Sequence, residues 1–305
     1  MNMTQAEFTA VSAKSVTATD PAEPETMSTV ISKDGTRIVC ERSGSGPALI
    51  VVDGALCSRA FGPSQKLATL LAPHFTVYRY DRRGRGESGD GPSYAPAREI
   101  EDLAALVEHA GGSAALVGLS SGAALSLEAA ASGLPLTGVV AYEPPYVDDA
   151  GTRGGEAFET RLRAFIANGN RGGAVRYFMR DMVGAPAPVV FVMRFVPGVW
   201  PKLKAVAHTL PYDAALMSAF RIPRQRFASI RVPVLVMHGS RTDARLKEAA
   251  TAISHAIPHA RHEELAGQTH NVKPDVLTAA SVAFIVSCAK AASAGTEAHA
   301  LHRDA

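Results

Sequence analysis

Leu116-Val117-Gly118-Leu119-Ser120-Ser121-Gly122-Ala123-Ala124-Leu125 is the stretch whose reading decides the fold. An apolar run with strand character ends at Gly118-x-Ser120-x-Gly122, and an alanine-rich, helix-prone segment follows at once. A tight strand-to-helix turn crowds the backbone at both flanking positions, which glycine tolerates. The residue between them is held in a strained conformation with its side chain turned outward. Here that residue is serine, so a hydroxyl stands at the head of a helix whose N-terminal dipole favours developing negative charge. The same five-residue pattern also describes an ordinary turn, so its meaning depends on what surrounds it.

The surroundings alternate between apolar runs and helical spacings. Residues 28–32 and 36–40 flank Asp34-Gly35, a strong hairpin signal. Ala48-Leu49-Ile50-Val51-Val52 is continuous apolar sequence, as expected of a strand buried on both faces, and residues 75–80 form another strand. Residues 97–109 carry Ile100, Leu103, Leu106 and Val107 at helical spacing, with Asp102 and Glu108 suited to the opposite face. Strands are expected again at 137–142, ending at Glu143-Pro144-Pro145, then at 233–237 and 262–265. Helices are expected at 244–257 and 276–291. Strands alternating with helices predict an α/β fold, with a mostly parallel sheet flanked by helices and an antiparallel hairpin at one edge.

The interval 147–230 breaks this rhythm. It holds helical spacings at 158–167 and 174–182, then Pro186, Pro188, Pro197, Pro201 and Pro211. It is too long for a connecting loop and, with Val189, Val190, Phe191, Val192, Phe195, Val196 and Trp200, too apolar for disorder. A helical cap folded over the carboxyl ends of the strands, where α/β sheets bind ligands, fits both properties. The expected domains are a core of 28–146 and 231–291 with the cap between them. Residues 1–27 and 292–305 are expected to be disordered.

Bulk properties exclude several classes. At 305 residues and 47% hydrophobic content, the chain can bury a large core. A net charge of +2 gives no electrostatic reason to expect a nucleic-acid or membrane partner. Asn170-Arg171-Gly172-Gly173 is a single Arg-Gly-Gly copy and reads as a loop. Cys40, Cys57 and Cys288 lie far apart, which supports neither a disulfide framework nor a zinc site. No signal-peptide pattern opens the chain, and no apolar run is long enough to cross a bilayer. The expectation is a cytoplasmic protein that acts on a small molecule and binds no metal, with a homodimer allowed.

A serine hydroxyl needs a base, and the base an orienting partner. Of ten histidines, His270 in Gly267-Gln268-Thr269-His270-Asn271 follows the last strand, at the sheet edge where Ser120 lies. His238 ends a neighbouring strand and is the competing candidate, with a buried structural residue as its alternative reading. Asp243, after the strand ending Met237-His238-Gly239, gives the chain order serine, acid, histidine. It equally suits a helix N-cap. Glu143, at a strand end and followed by two prolines, is the alternative acid. Two backbone donors for an oxyanion are expected from Ser121 and from Ala55, in the loop Asp53-Gly54-Ala55-Leu56. Cys57 beside that loop reads as packing.

Three segments together carry a resemblance: Gly118-Leu119-Ser120-Ser121-Gly122, Tyr80-Asp81-Arg82-Arg83-Gly84-Arg85-Gly86-Glu87-Ser88, and Gly267-Gln268-Thr269-His270. From residue 28 to residue 291 the chain resembles the α/β-hydrolase fold superfamily. The second segment is similar to that superfamily's D-x-R-G-x-G-x-S turn, a structural element. The resemblance implies an eight-stranded sheet, a cap inserted after the sixth strand, a Ser-His-acid triad and no cofactor. Two departures stand out. Many members have His-Gly where this chain has Asp53-Gly54. Many also place the acid where this chain has Thr242, one residue before Asp243, which keeps Glu143 in contention.

The implied activity is that of a serine hydrolase, cleaving an ester, lactone or thioester of a small, largely apolar substrate through an acyl-enzyme on Ser120. Ser120 argues against the epoxide hydrolases and dehalogenases of this fold, which use aspartate there. The same triad also serves carbon–carbon bond hydrolases, acyltransferases and cofactor-free perhydrolases. The scaffold also serves non-enzymatic ligand receptors. Phe191, Met193, Phe195 and Trp200 of the cap suit either an apolar pocket or the cap's own core.

Overall fold

Eight strands and eleven α-helices realise these runs among residues 26–147 and 155–301, the residues described by the computed structural model. The expected hairpin is β1 (Thr26–Ile31) and β2 (Arg37–Ser43), whose turn is fixed by Asp34 Oδ1 accepting the Thr36 amide at 3.0 Å. Then come β3 (Ala48–Val52), α1 (Ser64–Leu71), β4 (Thr76–Tyr80), α2 (Pro96–His109), β5 (Ala114–Leu119), α3 (Ser121–Ala131) and β6 (Leu136–Tyr142). The cap follows as α4 (Gly155–Ala167), α5 (Arg171–Tyr177), α6 (Ala187–Val192), α7 (Val199–Ala205), α8 (Leu210–Leu216) and α9 (Arg224–Phe227). The chain closes with β7 (Val234–Gly239), α10 (Ala244–Ala256), β8 (Arg261–Leu265) and α11 (Pro274–Leu301).

The sheet order is β1-β2-β4-β3-β5-β6-β7-β8. β2 pairs antiparallel with both β1 and β4, and the remaining pairs are parallel. Successive side chains of a strand point to opposite faces, and in β3 that alternation divides the core. Leu49 and Val51 join Leu67 and Leu71 of α1 and Leu277 and Phe284 of α11. Ile50 and Val52 join Leu103 and Leu106 of α2 and Leu125 and Leu127 of α3, in a cluster that continues into the cap through Phe158, Trp200 and Leu210. The cap thus shares one apolar core with the sheet.

Three expectations are revised. Asp102 does not face solvent; it is 1% exposed and accepts Arg83 Nε and Nη2 at 2.8 and 2.7 Å. The closing helix does not end at 291 but runs to Leu301, because alanine, the strongest helix former, dominates that stretch. The spacing at 174–182 is one helix only to Tyr177, after which a π-helical turn spans Phe178–Met182. The expectation for residues 1–25 lies outside the described residues. Among the described residues one helical stretch, Pro274–Ala291, could cross a membrane by length and composition; it packs on the sheet, with Leu277, Phe284 and Ile285 buried.

Candidate active site

Ser120 caps α3 with φ 53° and ψ −123°, a conformation that non-glycine residues avoid. The glycines on either side are dictated by contact. A Cβ on Gly122 would sit 2.1 Å from the Val52 carbonyl oxygen, and one on Gly118 would sit 2.5 Å from the Gly122 oxygen and from Ser126 Oγ. The turn is further held by the Ser120 amide donating to the Tyr142 carbonyl at 2.9 Å. Strain of this kind costs about 1–3 kcal/mol and persists only where the surroundings over-determine it. Leu56 and Glu143 also carry positive φ, at 62° and 47°. All three lie at the carboxyl ends of adjacent strands.

His270 sits on the loop between β8 and α11, with Nδ1 2.6 Å from Glu143 Oε2. A carboxylate only accepts, so Nδ1 carries the proton and Nε2 is left with its lone pair. Glu143 is fully buried. Its Oε1 accepts the Gly239 amide at 2.8 Å, and its Oε2 also accepts Thr242 Oγ1 at 3.0 Å. Burial pushes this carboxyl up, but the bonds from His270, Gly239 and Thr242 outweigh it and hold Glu143 below its ordinary value. Strand register explains the meeting: Tyr142 pairs with Met237, which sets Glu143 beside the end of β7.

The expected pairing of His270 with Asp243 is therefore corrected. Asp243 is the N-cap of α10. Its Oδ1 accepts the amide and Nε of Arg245, each at 2.9 Å, and Oδ2 accepts Arg245 Nη2 at 3.1 Å. Its carboxylate is taken up by the helix start, while Thr242, standing where many hydrolases carry the acid, turns its hydroxyl to the carboxylate that holds the histidine. His238 is buried, with Nδ1 3.2 Å from the Gly239 oxygen. Ser120 and the His270 ring line one cavity without a hydrogen bond between them, a spacing common in substrate-free sites.

Ala55 and Ser121 line the same cavity. Ser121 is the first residue of α3, so its amide has no partner within the helix. Behind the two lies a buried polar network absent from the sequence reading. Asp213, brought in by α8 of the cap and 0% exposed, accepts Arg82 Nη1 at 3.0 Å, Arg85 Nη2 at 2.8 and 2.9 Å, and Ser121 Oγ at 2.7 Å. The same arginines donate to the loop after β3: Arg82 Nη1 to the Asp53 carbonyl at 3.2 Å, and Arg85 Nη1 to that of Gly54 at 2.6 Å. Arg82 is also clamped bidentately by Glu99, at 2.6 and 2.7 Å. Burial raises the Asp213 carboxyl, but the two arginines and Ser121 outweigh it and hold it below its usual range. The only trace in the sequence was the pair of arginines in the turn at 80–88; their partner lies 128 residues beyond Arg85.

Asp53 occupies the position where many hydrolases carry histidine. It is buried, its Oδ1 has no hydrogen-bond partner, and burial pushes its carboxyl up to about 6 against the pull of Ser64, Arg85 and Arg82. Burial, reinforced by Asp53, pushes the Cys57 thiol up to about 12, which suits the packing role expected of it.

The cavity that Ser120 and His270 share measures about 570 Å³ and is lined mainly by apolar side chains from the cap and from the loops at the strand ends, with Arg241, Asp243 and Arg245 also on its wall. Phe178, Met179 and Met182 enter from the π-helical turn. Phe220 enters from a left-handed turn in which Ser218, Ala219 and Phe220 have φ of 48°, 57° and 65°. Of the cap residues singled out in the sequence, Met193 lines the cavity and Trp200 is buried in the cap, whereas Phe191 and Phe195 point to solvent. A second cavity of about 720 Å³, by Val232, Phe284 and Cys288 at the opposite end of the strands, contains none of the site residues.

Residues 45–280 match the sequence profile of the Alpha/beta hydrolase family. Among solved structures, an alpha/beta hydrolase from Sphaerobacter thermophilus DSM 20745 is 53% identical, with 84% of this chain and 99% of that one covered and a TM-score of 0.78. An esterase from Rhodococcus sp. ECU1013 is 20% identical (86% of this chain, 99% of that one, TM-score 0.58). The enol-lactonase from Burkholderia xenovorans LB400 is 18% identical (86% and 98%, TM-score 0.59). These last two likenesses speak to the fold. No curated protein matches the chain.

Proposed function

The chain belongs to the alpha/beta hydrolase family and is an enzyme of that family, and from this premise we propose a serine hydrolase that cleaves an ester, lactone or thioester of a small, largely apolar substrate. His270 Nε2 takes the proton of Ser120 as Oγ attacks the carbonyl carbon, and the carbonyl π electrons move onto oxygen. The amides of Ser121 and Ala55 receive that oxyanion. Collapse expels the alkoxide or thiolate, which His270 protonates, leaving an acyl group on Ser120. Water, deprotonated by His270, then releases the acid by the same route. Glu143 holds the imidazole in the required tautomer and offsets its charge when protonated.

The observation that carries this reading is the His270–Glu143 pair at 2.6 Å, facing Ser120 across one apolar cavity. Leu56, Phe61, Met217 and Phe220 in the lining support an apolar acyl or alcohol moiety. Three free cysteines among the described residues fit a reducing cytoplasm. A fluorophosphonate probe with peptide mapping, followed by p-nitrophenyl esters of increasing chain length, tests the proposal. Labelling should fall on Ser120 and vanish in Ser120→Ala together with ester turnover. Labelling elsewhere, or turnover surviving that substitution, overturns it.

A further inference from the structure

One face of the cap carries apolar side chains that belong to no core. Val189, Phe191, Val192, Phe195 and Val196, on α6 and the turn after it, are 42–69% exposed. The Phe191 and Phe195 rings lie 5.2 Å apart. Val183 is 45% exposed and also lines the cavity of Ser120, as does Met193 between the two phenylalanines. The patch therefore runs from open surface into the mouth of the candidate active site. Contiguous exposed apolar surface of this kind marks an interaction site on an otherwise ordinary fold.

Its charge is one-sided. Residues 168–206 contain six basic residues, Arg171, Arg176, Arg180, Arg194, Lys202 and Lys204, and a single acid, Asp181. All six are exposed. Arg194 stands against the aromatic part of the patch, and Lys202 Nζ lies 5.6 Å from the ring centre of Phe61 in the cavity lining. The Arg194 guanidinium lies 5.9 Å from the ring centres of both Phe191 and Trp200, and a Cβ built on Gly172 would lie 3.7–3.9 Å from side-chain atoms of Trp200, Arg176 and Lys204. The near-neutral charge of the whole chain conceals this local excess.

We propose that this face of the cap docks on an anionic lipid surface, with the phenylalanines and valines in the headgroup–acyl boundary and the basic residues on lipid phosphates. Short apolar helices edged by lysine and arginine bind interfaces in this way, each cation near an anionic surface adding to the attraction. Charge selects this occupant over a second copy of the chain. A two-fold interface sets a patch against itself, which would press one basic rim onto another. An apolar, membrane-dissolved substrate would reach Ser120 through Val183 and Met193 without crossing water. This proposal departs from the expectation, drawn from net charge, of no membrane partner.

Co-sedimentation of the full chain with phosphatidylcholine vesicles, with and without about 30 mol % phosphatidylglycerol, tests the proposal. Binding is expected on the anionic vesicles, about tenfold weaker on neutral ones, and falling as salt rises. The double variant Phe191→Ser/Phe195→Ser should lose at least about tenfold in vesicle binding. Both side chains are exposed, so its melting temperature should be unchanged, as should its hydrolysis of a soluble short-chain ester. Equal binding to both vesicle types, no binding, or binding retained by the double variant overturns the proposal. So does a concentration-dependent dimer, seen by light scattering, that the double variant dissolves. Vesicle binding is read without turnover, so its failure and a failure of the hydrolase reading are separate results.

Discussion

His270 Nδ1 and Glu143 Oε2, 127 residues apart in sequence, lie 2.6 Å apart in the fold. The contact places the carboxylate that meets His270 at the end of the strand that precedes the cap, while Asp243 bonds the start of α10.

Glu143→Gln should lower kcat/KM on a p-nitrophenyl ester by roughly 10³–10⁴-fold with little change in KM, since an amide can stabilise the wrong imidazole tautomer. Asp243→Ala should leave kcat within about threefold and cost about 1 kcal/mol in denaturant unfolding, the usual effect of losing an N-cap. The pH dependence has a definite sign. The folded pKa of Glu143 is depressed, so its stabilisation is present above the ordinary carboxylate value and lost as pH falls through the folded one. The stability gap between wild type and Glu143→Gln should close on acidification. The reverse ranking of the two variants in activity would remove Glu143 from the site.

Ser120 offers a test of strain. Ser120→Ala and Ser120→Gly should both be inactive, but only glycine relaxes a residue held at φ 53°. The glycine variant should melt above the alanine variant, because releasing about 1–3 kcal/mol of strain exceeds the 0.5–1 kcal/mol entropic penalty of glycine. Equal melting temperatures would mean that the elbow is unstrained.

Asp213 joins the cap to the turn that carries Ser120. Removing it leaves Arg85, itself 2% exposed, without its carboxylate. Asp213→Ala should destabilise by about 3–5 kcal/mol, and Asp213→Ala/Arg85→Met should recover part of the loss. In whichever variant folds, kcat should fall about 10–100-fold with KM nearly constant, because the Gly54 loop and Ser121 lose their shared anchor. A double variant no more stable than the single one would show that the pair is not coupled.

Much of this was legible in the sequence and some was not. Apolar runs such as 48–52 and the elbow at Ser120 are local signals, and so is the placing of His270 after the last strand. The acid was not local. Asp243 and Glu143 both follow strands at the same sheet edge, and the choice between them depends on the register of β6 against β7 and on where Thr242 turns its hydroxyl. Asp102 looked solvent-facing because helical spacing reports apolar stripes and is silent about a buried arginine across the interface. Asp213 gave no signal, since its partners come from a turn more than a hundred residues earlier.

Asp53 predicts a stability profile. Its folded pKa of about 6 lies above the ordinary 3.8. Between those values the folded state holds the extra proton, so this group's contribution to stability falls as pH rises through that window and stays low above it. A shift of about two units corresponds to roughly 3 kcal/mol. Asp53→Asn is neutral throughout, so its melting temperature relative to wild type should rise between about pH 4 and pH 6 and level off above. A difference constant with pH would show that Asp53 does not shift its pKa on folding.

Glu143 ends the strand from which the cap departs, and Asp213 ties the cap back to the turn that carries Ser120. The inserted module is thus tied to the α/β core beside both His270 and Ser120, with Arg226–Glu128 and Tyr212–Asp90 as further ties. A chimera that transplants a foreign cap between β6 and β7 to change substrate preference must carry over both stitches, Glu143-Pro144-Pro145 at the departure and an aspartate facing Arg82 and Arg85 at the return. Between them only the solvent-facing part of the cap is free to vary, since Phe158, Trp200 and Leu210 belong to the core of the sheet, so a replacement roof must keep its seams and its apolar underside.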